Sequence, residues 1–112
     1  MATPLDRSFD DIAYLAREVE ESDNFDAALR SFLDAVREFR SYLYRYSKDP
    51  LLHEHLDYLG EFDLSPPEEP LIQRLLPGGP RQMYGKYQHR QKMREEVRKI
   101  AARFIVIRRL LS

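Results

Sequence analysis

Apolar residues recur along the chain at steps of three and four, the spacing that gathers side chains on one face of an α-helix. The clearest stripe is Phe25, Leu29, Phe32, Val36, Phe39, Leu43 and Tyr46, whose alternating steps form a heptad seam. It predicts a helix from about Asn24 to Ser47, with Asp23-Asn24 supplying a cap for its free N–H groups. Ala28 and Ala35 beside the seam leave room for a second helix to approach closely. A second stripe, Phe9, Ile12, Ala13, Leu15, Ala16 and Val19, predicts a first helix starting near Ser8, whose hydroxyl would cap it while Asp10 and Asp11 favour the positive end of the dipole. Ser47-Lys48-Asp49-Pro50 predicts a break and a restart, because Asp caps and Pro suits the first helical position. Leu51, Leu52, Leu56 and Leu59 then support a short third helix stopped at Gly60.

From Glu61 the chain is acidic and holds Pro66, Pro67 and Pro70, which predicts an extended surface connection. Leu71-Ile72 and Leu75-Leu76 predict one apolar turn pinned to the bundle, followed by a turn at Pro77-Gly78-Gly79-Pro80. Met93, Val97, Ile100, Phe104, Ile107 and Leu111 restore the four-three spacing, so a last helix is expected to begin between Gln82 and Lys86. Ile105, Val106 and Leu110 widen its apolar surface until the final turns are apolar on most sides, which calls for a covering partner. The expected fold is all-α, a compact three- to four-helix bundle with two long helices. It forms a single domain over 1–112: acidic helices 8–60, an acidic Pro-rich connection 61–80 and a basic C-terminal helix over about 83–111.

Length and composition agree with one core, since 112 residues with 43% hydrophobic content match an ordinary single domain. The absence of cysteine excludes disulfides, a thiol nucleophile, iron–sulfur clusters and cysteine-based zinc sites. It is compatible with a reducing compartment, and a cytoplasmic location is expected. Met1 to Asp6 has neither the basic start nor the apolar core of a secretory signal. The longest aliphatic or aromatic run, Phe104 to Ile107, falls far short of the ~20 residues of a membrane span.

The net charge of −1 conceals a division. Residues 1–70 hold 7 Lys and Arg against 17 Asp and Glu, a formal charge of −10, whereas residues 71–112 hold 11 against 2, a charge of +9. The favoured explanation is that the basic helix lies against acidic ones; the competing one is a basic surface for polyanions. The second rests on Arg81, Tyr84, Lys86, Tyr87, His89, Arg90, Lys92 and Arg94, where cations that neutralise phosphates alternate with rings that stack on unpaired bases.

Other chemistry has less support. His53-Glu54-His55-Leu56-Asp57 gathers four possible metal ligands, yet on a helix only His53 and Asp57 share a face, so no metal site or cofactor is expected. No pair of carboxylates or serine–histidine context stands out, so catalysis is the weaker expectation. Tyr42, Tyr44, Tyr46 and Tyr58 cluster near the end of the second helix and on the third, and with Arg40 and Arg45 they have the character of interface anchors.

The run Phe25 to Ala35 resembles a core helix of HEPN-type helical proteins, a superfamily rich in ribonuclease toxins and defence proteins. That resemblance covers one helix. Active members set Arg and His four to six residues apart on a late helix, whereas Arg45 to His53 and Arg81 to His89 each enclose seven residues, so nuclease activity is not carried over. The leading expectation is therefore a non-catalytic interaction protein, such as an adaptor, inhibitor or assembly factor. It would bind another protein, itself as a homodimer, or both, through Arg40, Tyr42, Tyr44, Arg45, Phe104, Ile105, Val106 and Leu110. The alternative is an RNA-binding bundle using residues 81–94, of a defence or toxin–antitoxin type.

Overall fold

The computed structural model describes the backbone of residues 4–62 and 80–112, and the side chains of residues 4–62 and 90–112. The described residues form four helices: α1 (Pro4–Glu21), α2 (Phe25–Tyr46), α3 (Pro50–Gly60) and α4 (Pro80–Leu111). The fold is all-α, as the periodicity predicts. The connection from 63 to 79, with its expected apolar turn, lies outside the described residues.

Local chemistry sets most helix ends. Asn24 caps α2, its side chain accepting a hydrogen bond from the backbone N–H of Ala27 at 3.2 Å. Asp49 caps α3 by accepting from Leu51 N–H, with Pro50 in the first turn. The first helix corrects the expectation, since it begins at Pro4 instead of near Ser8. Proline tolerates the first helical position because it has no N–H to leave unpaired, and the Ser8 hydroxyl donates back to the Pro4 carbonyl from inside the helix. For the same reason α4 begins at Pro80, ahead of the expected Gln82 to Lys86, and runs through Gly85 without a break.

The core contains the predicted seams. Phe25, Leu29, Phe32, Val36, Phe39 and Leu43 of α2 are buried, as are Val97, Ile100, Phe104 and Ile107 of α4. Phe9, Ile12 and Val19 from α1 and Leu52, Leu56 and Leu59 from α3 complete it. At its centre the rings of Phe39 and Phe104 stack at 5.6 Å, with Phe9 edge-on to Phe39 at 4.9 Å. Tyr46, expected on the seam, is 54% exposed. A strict seven-residue repeat drifts about 20° per heptad around a straight helix, and three heptads after Phe25 the seam has turned away from the core.

The basic helix lies against the acidic one. Arg98 of α4 pairs with both carboxylate oxygens of Glu20, at 2.6 and 3.0 Å, and Arg108 reaches Asp10 at 2.9 Å and Asp6 at 3.4 Å. As residue numbers fall in α1 they rise in α4, so these two helices are antiparallel. Arg103 ties α4 to α3, donating to His55 Nδ1 at 3.0 Å and lying 4.0 Å from the centre of the Tyr58 ring. The molecule measures 51 × 26 × 19 Å, its length set by the 32 residues of α4.

Candidate interaction surface

The expected site residues separate into three groups once the packing is known. The first joins α2 to α3. Arg40 donates through Nε to the Leu56 carbonyl at 2.7 Å and lies over the Tyr44 ring, while the Tyr44 hydroxyl donates to Asp57. A Cβ at Gly60 would stand 2.6 Å from Arg40 Nη2, so the bare backbone there leaves space for this guanidinium. The His53 ring packs at a tilt against Tyr44, 4.4 Å between centres, and contacts the Ser47 carbonyl through Nε2 at 2.7 Å. The hydrogen bond to Asp57 holds the Tyr44 hydroxyl above its ordinary pKa, since ionisation would set two anions against each other. Arg40 and Tyr44 therefore serve internal contacts, and so do His53 and Asp57, the two expected to share a face. Among the described residues no three His, Asp or Glu side chains converge as metal ligands.

The second group is the basic segment. Arg81, Tyr84, Lys86 and Tyr87 lie on the first turns of α4, with side chains outside the described residues. Arg90 and Arg94 place their guanidinium groups 5.6 and 5.3 Å from the centre of the Phe25 ring, and Arg94 Nε is buried without a hydrogen-bond partner among the described residues. Lys92 is exposed. Hydrogen bonds to the acidic side chains of α1 hold the charge on Arg98 and Arg108 and push both pKa values further up. Arg90, Arg94, Arg98, Arg103 and Arg108 of this half of the helix are used on its own bundle, whereas Lys92, Lys99 and Arg109 are exposed.

The third group is at the surface. Phe104, expected at the interface, is a correction: at 2% exposure it belongs to the core, because its seam position points it at Phe9 and Phe39. Leu110 packs half-buried against the core. Ile105 and Val106, the residues beside Phe104, turn outward and are 58% and 43% exposed. Tyr42 is exposed and stacks between Phe39 and Tyr46, and Arg45 lines a shallow polar groove with Asp34, Arg37, Glu38 and Ser41. Ile105 and Val106 were expected at an interface from the sequence, a reading that did not show which residues share their face. Glu95, Lys99, Ala102 and Arg109 share their outward face and are all exposed. The signal was present, since Glu95, Ala102 and Arg109 repeat at seven residues on the side opposite the core seam.

No protein-family model, curated protein or solved structure matches this chain. Among the described residues no helix is long and apolar enough to cross a membrane.

Proposed function

We propose that this chain is a small helical bundle acting by protein–protein binding in the cytoplasm, with the outward face of α4 as its binding surface. The observation that carries the reading is the exposure of Ile105 and Val106 on a helix whose opposite face already completes the core. β-Branched residues lose side-chain freedom in a helix, and at a solvent-facing position no burial offsets that loss. A partner that covers them restores the balance. The inward use of Arg90, Arg94, Arg98, Arg103 and Arg108 supports this reading over the polyanion one.

The test compares the wild type with Ile105→Glu/Val106→Glu as immobilised bait, with captured proteins quantified, further copies of this chain included. Partners retained by the wild type and lost by the variant are expected. Equal capture on both overturns the assignment of the face. Tight, salt-sensitive RNA binding that disappears in Arg90→Glu/Arg94→Glu replaces the reading with the nucleic-acid one.

A further inference from the structure

We infer that the outward face of α4 pairs with the same face of a second copy, the two helices running antiparallel and centred on Ala102. The inference rests on the proposed role of this face and adds the partner and the register.

Three observations carry it. The exposed face of α4 follows a heptad pattern of its own, with Glu95, Ala102 and Arg109 along its middle and Arg98, Lys99, Ile105 and Val106 on either side. Alanine at the midpoint lets two helix axes approach to about 8 Å, the close end of helix packing. Charge then selects direction. A parallel pair would set Glu95 against Glu95, Lys99 against Lys99 and Arg109 against Arg109, three like-charge contacts. An antiparallel pair centred on Ala102 sets Glu95 of each copy against Arg109 of the other, twice by symmetry. Among the described residues neither the Glu95 nor the Arg109 side chain forms a salt bridge, although Glu95 lies close enough to act on the charge of Arg98.

The same register covers the apolar residues. Val106, four residues past the centre, meets Lys99 of the second copy, and Ile105 meets Arg98. The aliphatic stems of these long side chains lie over the β-branched residues, with the Lys99 ammonium reaching solvent and the Arg98 guanidinium held on Glu20. One face of about four turns buries less than the ~1,200 Å² of a standard interface, which sets the contact among weak, concentration-dependent ones.

The chain has no cysteine, so single introduced thiols report the register directly. Under mild oxidation Ala102→Cys is expected to give a covalent dimer, since the two copies of position 102 face each other within disulfide reach. Glu95→Cys is expected to give none, because its two copies lie about 21 Å apart along antiparallel helices. Sedimentation of the unmodified chain over on the order of 1 to 500 µM is expected to show a reversible dimer. Arg109→Glu should dissociate that dimer, and Glu95→Arg/Arg109→Glu should restore it. Cross-linking of both cysteine variants overturns the antiparallel register. A monomer at every concentration, with Cys introduced at position 102 staying unlinked, overturns self-pairing. If the wild-type bait then still captures a different protein that Ile105→Glu/Val106→Glu loses, the face belongs to a foreign partner and the broader reading stands.

Discussion

Phe104 and Ile105 are neighbours in sequence with opposite tasks, and a turn of about 100° between them decides which is which. Phe104 completes a three-ring cluster with Phe9 and Phe39. Phe104→Ala is expected to lower stability by about 3–5 kcal/mol in urea denaturation, the cost of an emptied aromatic site in a packed core. A loss below about 1 kcal/mol would return the residue to the surface. Tyr44 carries a different expectation. Its pKa is raised in the folded chain by the bond to Asp57, so the stability it contributes is present in full below the ordinary tyrosine range and is lost as pH rises through the raised value. The melting temperature of the wild type should therefore exceed that of Tyr44→Phe by more at pH 8 than at pH 11, and a difference that stays constant would show that the bond adds nothing. Neither the Tyr44–Asp57 bond nor the Arg40 contact to Leu56 was readable in the sequence. Each joins residues 13 and 16 positions apart across a turn whose angle no local pattern specifies.

The helices themselves were legible wherever a local signal governs them. The Asn24 and Asp49 caps and the seams of α2 and α4 depend on spacing and on side chains two or three residues away, which the sequence displays directly. Two serviceable signals competed at the start of α1: Ser8 has the chemistry of a cap, yet Pro4 supplies an earlier start and brings Leu5 onto the core. The outward face of α4 was half legible, because an excess of apolar residues can be counted but their direction depends on which side the core occupies. Capping also has a measurable weight here. Asn24→Ala should cost about 1 kcal/mol in thermal or urea unfolding, whereas Asn24→Gly should cost only a few tenths, since glycine tolerates the cap backbone. Equal losses would mean that the side-chain bond to Ala27 contributes little. The exposed pairs of Arg98 and Arg108 rank below this cap, since solvent screens them. Their stronger effect is on orientation, as they match a basic helix to an acidic one.

At the scale of the molecule, the charge division of the sequence becomes an arrangement in which most described α4 cations meet an acidic side chain, an imidazole or an aromatic face of the same bundle. Among the described residues it leaves Ile105 and Val106 exposed on the outward face of α4. The Arg108–Asp10 pair closes a loop of 98 residues, while α1 and α2 are joined by the three residues from Ser22 to Asn24. Loop-closure entropy grows with the separation, so closing the α1–α2 hairpin costs less chain entropy than bringing α4 back onto α1. Until α4 arrives, Phe9 and Phe39 have no third ring and the acidic side of α1 has no counter-charge. α4 therefore supplies both the third ring of the core cluster and the counter-charge of α1.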